Sequence, residues 1–270
     1  MRNSKHTLAC TMWLYSLWCF GLLSVYTGGI LADRPVGSVE NSLEISSLQI
    51  LGLPPDANDQ EILSKLVPLD PNGKAIIAMD LIARRRITAA VPIMQKIVND
   101  SRVGPLTQIT AADALRILGD RSWVPTIKAM LSDPNDPIRF FSAKLSCARM
   151  LAEIGDYSLF GLVIGALDQE LYRGTAIDYL GSFAHPTEPC SAIAAAKLLE
   201  VAKADPSPWF RERAICSLDR LSRKRPSLER ELEEAIAANI NSEDLGLKAT
   251  CKAMLEIRKI KAQGPNKASK

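Results

Sequence analysis

Two stretches of this chain carry the same short pattern, and that repetition limits the available folds more than any single residue does. The run Ala111-Ala112-Asp113-Ala114-Leu115-Arg116-Ile117-Leu118-Gly119-Asp120 is followed by Val124-Pro125, Ile127, Leu131 and Asp133-Pro134. It recurs as Ala148 to Leu151, Ile154-Gly155-Asp156, Leu159 and Leu162, and Gly119 to Gly155 is 36 residues. An earlier copy runs from Ala78 to Ala83, has Arg85-Arg86 where Gly-Asp stands elsewhere, and continues with Val91-Pro92, 33 residues before Val124-Pro125. Later copies are more worn. Leu171 to Ala184 with Pro189 to Ala204 form one helical pair, Pro208 to Arg223 with Pro226 to Asn239 another, and Leu245 to Lys261 reads as a last, unpaired helix.

Each unit has a plain physical reading. Ala114, Leu115 and Leu118, then Val124, Ile127 and Leu131, keep the 3,4 spacing of a buried helical stripe. Gly119 and Gly155 can take a left-handed conformation and end the first helix, and the Asp that follows can accept backbone N–H bonds where the second begins. Pro92 and Pro125 fall in the first turn of a second helix, where the N–H groups lack intrahelical partners. Composition agrees: aromatic residues make up only 6% of the chain while Ala, Leu and Ile are abundant, which favours helices over sheets. The expected fold class is therefore all-α.

The Gly119-Asp120, Gly155-Asp156, Val91-Pro92, Val124-Pro125 and Asp133-Pro134 matches make the pattern resemble HEAT repeats, particularly the short bacterial form called PBS-lyase-like. The resemblance implies a right-handed α-solenoid of about five hairpins plus a final helix over residues 73–262 that binds other macromolecules along an extended surface. It departs from the family pattern at Arg85-Arg86, at Phe183-Ala184-His185-Pro186 and from Leu221 to Pro226. A minority of the wider family are chromophore lyases, and some related solenoids are DNA-repair glycosylases. The leading expectation is a non-catalytic scaffold or adaptor that binds another protein. A lyase-type or other enzyme, and an anchored structural component of the envelope, are the alternatives.

The amino terminus has a different character. No Asp, Glu, Lys or Arg occurs from Thr7 to Ala32, and Arg2 and Lys5 precede an apolar segment containing Met12, Trp13, Leu14, Leu17, Trp18, Phe20, Leu22, Leu23 and Val25. That order is the layout of an export signal, with cleavage expected after Ala32. Left uncut, residues 7–32 are long enough for a single membrane anchor. The expected address is accordingly the periplasm or the exterior, or the inner membrane if the segment is retained. Loss of Arg2 and Lys5 lowers the formal net charge from +3 to +1, too near neutral for strong whole-protein attraction to nucleic acid or anionic lipid. Residues 33–72, rich in Ser, Asn, Asp and Pro, read as a spacer with one short helix from Asp59 to Val67, Asp59 being its candidate N-cap. Residues 263–270 read as a flexible tail.

Candidate chemistry is sparse. His185, the only histidine beyond His6, lies before Pro186 with no second histidine to pair with, so a turn or cap role is expected. Cys147, Cys190, Cys216 and Cys251 contain no Cys-x-x-Cys pair; Cys216 and Cys251, 35 apart, could sit at equivalent helix positions as a disulfide or as small buried residues. No phosphate loop, nucleophile elbow or His-Glu-x-x-His helix occurs, so no cofactor and no metal are expected. The runs Arg84-Arg85-Arg86 and Arg220, Arg223-Lys224-Arg225 fall at helix C-termini, where the dipole favours cations, and this explains them without nucleic acid.

The helix expected over Tyr157 to Leu167 is apolar around its full circumference, so it is either covered or part of an exposed patch. One reading places Phe160 and Val163, flanked by Trp123 and Lys128, at the centre of a partner-binding surface. The other has residues 33–72 fold back over them.

Overall fold

The computed structural model describes residues 36–67, 73–133, 138, 140–184 and 189–263. The export segment, His185 and residues 264–270 of the tail lie outside the described residues, as do Pro68, Pro71 and Pro134. Thirteen α-helices, two 3-10 turns and no strand occur among the described residues: α1 Val36–Leu51, α2 Asp59–Leu63, α3 Lys74–Arg85, α4 Val91–Asn99, α5 Pro105–Ile117, α6 Val124–Ser132, α7 Phe141–Glu153, α8 Phe160–Ala166, α9 Glu170–Leu180, α10 Pro189–Ala204, α11 Pro208–Lys224, α12 Glu229–Asn239 and α13 Leu245–Gln263. The chain is all-α. The helices fall into two compact units that divide between Ile154 and Gly155.

In the unit of residues 33–154, α3 packs on α5 and α5 on α7, while α4 and α6 connect them and lie against α5 and α7. The helix ends explain the tight turns. Gly119 takes φ +85°, and the N–H groups of Gly119 and Asp120 bond back to the carbonyls of Arg116 and Leu115. Gly155 takes φ +90° after α7. The first copy has no glycine to offer, and Arg86 adopts the same left-handed conformation (φ +53°), with Arg86 and Ile87 N–H groups bonding the carbonyls of Ala83 and Ile82. The aspartate after the turn acts slightly differently from expectation: Asp120 and Asp156 accept the N–H of Ser122 and Ser158, two residues on, closing a side-chain turn before the next helix starts.

The segment read as a spacer is corrected here. It contains the sixteen-residue helix α1, whose Leu48 and Leu51 are buried and which packs on α3. Its serines hid it from a propensity reading; Ser46 and Ser47 donate to the carbonyls of Ser42 and Leu43 one turn back, so their hydroxyls need no water. Gly52 (φ +68°) ends it with the cap seen at Gly119. Arg85, expected only to meet a helix dipole, donates to Glu44 of α1 and to the carbonyl of Ala57, tying both to α3. The short helix α2 is capped by Asn58, not Asp59, in a reciprocal capping box with Glu61.

Charged groups set the register between helices. Asp113 of α5 accepts two bonds of 2.9 Å from Arg149 of α7 and one of 2.8 Å from Arg116, and Arg116 also pairs with Glu153. Burial works against the Asp113 carboxylate, but the Arg149 and Arg116 guanidiniums outweigh it and hold its pKa below the ordinary carboxylate value. Asp80 of α3 has the opposite balance: burial raises its pKa, and its bond to Arg84 only partly offsets that.

In the unit of residues 155–270, α9 packs on α11 and α11 on α13, and α10 packs on α12. Asp178 of α9 pairs with Arg213 of α11, Arg220 donates to the Asp178 carbonyl, and Thr250 of α13 donates to Glu212 of α11 at 2.6 Å. These contacts join near-equivalent positions along α9, α11 and α13, so the three helices run parallel and their N-terminal ends share one edge.

The left-handed cap at Arg86 and the buried Asp113 pairs can both be tested by mutation. Arg86→Gly relieves a left-handed non-glycine residue with an exposed side chain, and urea unfolding should show a gain of about 1 kcal/mol. Asp113→Asn strips the charge that Arg149 and Arg116 share and should lose about 3 kcal/mol, whereas Asp113→Leu with Arg149→Met should recover much of it. Because the folded Asp113 pKa is depressed, its contribution is fully present above the unfolded value near 3.8 and is lost progressively as pH falls from there through the lower folded value.

Candidate functional site

Five helices open at the surface with an apolar residue. In the 33–154 unit these are Leu106, second in α5, and Phe140, the N-cap of α7; in the 155–270 unit they are Leu171, Trp209 and Leu245, first or second in α9, α11 and α13. Leu171 is 70% exposed, Trp209 52% and Leu245 81%. Trp209 and Leu245 lie off the buried stripes formed by Ala214, Ile215 and Leu218 and by Leu247, Cys251 and Met254. Three apolar side chains thus share the edge where α9, α11 and α13 begin.

Trp209 is held rigidly while remaining half open. A Cβ at Gly174 would stand 2.9 Å from the indole Cη2, so the ring lies directly on the α9 backbone. Phe210 packs beside it with centroids 4.9 Å apart, and the Arg213 guanidinium lies 4.4 Å from the indole centroid. Arg213 is fixed in turn by Asp178, while Arg173, near the Phe210 ring, reaches the buried carboxylate of Asp205 at 2.5 Å. A large anchor whose rotamer is already chosen loses little entropy on contact.

The four residues expected at a partner surface are not equivalent. Trp123 is fully buried and donates its Nε1–H to the Asp120 carbonyl at 2.9 Å; the satisfied indole is a core residue of the 33–154 unit, where Lys128 is exposed. Val163 is likewise fully buried in the 155–270 unit, and Phe160 is half-buried, its ring centroid 5.1 Å from that of Phe183. Trp123 and Val163 therefore present no side-chain surface, which corrects the expectation for those two. The apolar circumference of α8 has a simple explanation: its exposed positions are Gly161 and Gly165, so the outward face is mostly backbone. Leu171, Trp209 and Leu245 escaped the sequence reading because repeat patterns highlight what is buried. The available signal was an apolar residue directly after the Pro or Glu that opens a helix, as in Pro208-Trp209 and Glu170-Leu171.

Other chemical leads resolve into structure. Cys147, Cys190, Cys216 and Cys251 are free thiols; burial pushes Cys147 and Cys216 up to about 12 and Cys251 to about 11, the nearby Glu212 carboxylate adding to the last two. Arg84 and Arg223 pair with acids one turn earlier, Asp80 and Asp219. A shallow cavity of about 200 Å³ between α11 and α13 is lined by Asp219, Ser222, Arg223, Glu229, Met254, Ile257 and Arg258, with Glu229 paired to Arg258. Among the described residues no cluster of His, Cys, Asp or Glu is arranged to hold a metal, and no helix is long and apolar enough to cross a membrane. Comparison with protein-family models, with curated proteins and with solved structures finds no match.

The seat of Trp209 can be tested against open glycines. Gly174→Ala forces the indole from its place and should destabilise by about 1–3 kcal/mol with a changed Trp fluorescence spectrum. Gly161→Ala and Gly165→Ala meet nothing within 4 Å and should each stabilise by up to about 1 kcal/mol.

Proposed function

We propose that the chain is a non-catalytic scaffold of HEAT-like hairpins, a right-handed α-solenoid of about five hairpins with a final helix, that holds another protein in the cell envelope. The observation that carries this reading is the edge formed by Leu171, Trp209 and Leu245, exposed apolar side chains at the starts of three parallel helices, one of them an aromatic fixed in place. Packing of each layer helix on the next but one, within each unit, is the neighbour order a solenoid needs and supports the HEAT-like reading. Phe160 and Lys128, which are accessible, are further candidate contacts, each within its own unit. The uncharged stretch from Thr7 to Ala32 supports export, with the mature protein periplasmic or secreted, or held at the inner membrane if the segment is retained.

Cross-linked capture from an envelope extract tests the scaffold reading, comparing wild type with a Leu171→Asp, Trp209→Asp variant. Wild type should recover a discrete polypeptide that the variant loses while keeping its far-UV circular dichroism, and the purified protein should begin at Asp33. Equal recovery by a folded variant would overturn the assignment of this edge.

A further inference from the structure

The acids around the same edge indicate what kind of polypeptide it takes. Asp168 and Glu170 precede Leu171 by three residues and one, and Glu243 and Asp244 directly precede Leu245; all four carboxylates are exposed. Asp244 also caps α13 by accepting the Leu247 N–H at 2.8 Å, which fixes its charge beside Leu245. The strongest cations nearby are already committed: Arg173 to Asp205, Arg213 to Asp178, and Lys197, which also feels the Asp168 charge, to Glu200. Arg211 and Lys248 remain, both half-buried. The edge therefore offers three apolar side chains within an excess of exposed negative charge, although the chain as a whole has a formal charge of +3.

We infer that this edge binds a basic, amphipathic segment of a partner polypeptide, one that presents Leu-like side chains on one face and Lys or Arg beside them. The inference rests on the scaffold reading and deepens it. Parallel helices packed about 8–10 Å apart place three successive helix starts along about 20 Å, which matches the apolar face of roughly four turns of helix. The Trp209 indole supplies the central anchor, its rotamer set by Gly174 and Arg213. Carboxylates at the rim act chiefly on the encounter rate and on the choice of partner, rejecting acidic segments by like-charge repulsion. An anionic membrane surface is disfavoured by the same charges.

Fluorescence-polarisation titration of the full chain with a labelled 16-residue helical peptide, Leu on one face and Lys on the other, provides the test. A second peptide carries Glu in place of each Lys. The Lys peptide should bind, the Glu peptide should not, and raised salt should weaken binding. Trp209→Ala should weaken it by about tenfold, the size of a typical aromatic anchor. Leu245→Ala gives an independent variant at a more exposed position, and Asp168→Asn with Glu170→Gln and Glu243→Gln should flatten the salt dependence. Equal binding of both peptides, or Lys-peptide affinity unchanged in folded Trp209→Ala and Leu245→Ala proteins, would overturn the inference. So would a concentration-dependent dimer dissolved by Trp209→Ala, which would make a second copy the occupant, or Trp209-dependent binding to zwitterionic lipid vesicles without peptide binding. If the peptide fails while capture from the envelope extract still depends on Leu171 and Trp209, the basic partner is wrong and the scaffold reading stands.

Discussion

Helices this rich in alanine can slide along one another with little penalty, because small side chains leave shallow ridges and many near-equal packings. The bonds from Arg149 to Asp113 and from Arg116 to Glu153, both running between α5 and α7, remove that freedom. A bidentate pair has one workable axial position, and an error of one turn would break both cross-helix pairs and leave each side only the weaker intrahelical pairs, Asp113 with Arg116 and Arg149 with Glu153. Asp178 with Arg213 performs the same office between α9 and α11. The positions of the helix starts, and hence of any surface built from them, depend on this register.

Much of the fold could be read from residues. Gly119 and Gly155 announced their left-handed caps, and Pro92 and Pro125 announced the first turns that follow. Arg86 shows how far the backbone geometry outweighs side-chain preference, since α3 ends by the same turn without the glycine that eases it. What escaped were features decided by tertiary contact. Helix α1 looks like linker because its serines suit turns as well as helices, and only burial of Leu48 and Leu51 settles the matter.

The surface was harder to read than the core for a related reason. Trp123 and Trp209 are the same residue type in similar sequence surroundings, close to a proline at the start of a helix. Trp123 precedes its helix, finds the Asp120 carbonyl for its N–H and disappears inside. Trp209 stands in the first turn, stacks against Gly174 and Arg213, and stays half open. Their fates turn on a neighbouring helix that periodicity alone does not place. The acidic rim is likewise a product of assembly: the Asp168–Glu170 and Glu243–Asp244 pairs are far apart in sequence and come to the two ends of one edge because α9 and α13 both pack on α11 in parallel.

The short helix α8 carries a consequence for motion. It has seven residues, two of them the exposed glycines Gly161 and Gly165, so its backbone amides have neither side-chain cover nor a long run of neighbours to hold them. Opening it disturbs the packing of Phe160 on Phe183 and uncovers Val163 and Ala166, but no residue of α8 takes part in the Asp113–Arg149 or the Asp178–Arg213 pair. Only Val163 and Ala166 hold α8 in the core, so its amides should exchange faster than those of α7 and α9, which carry the buried pairs.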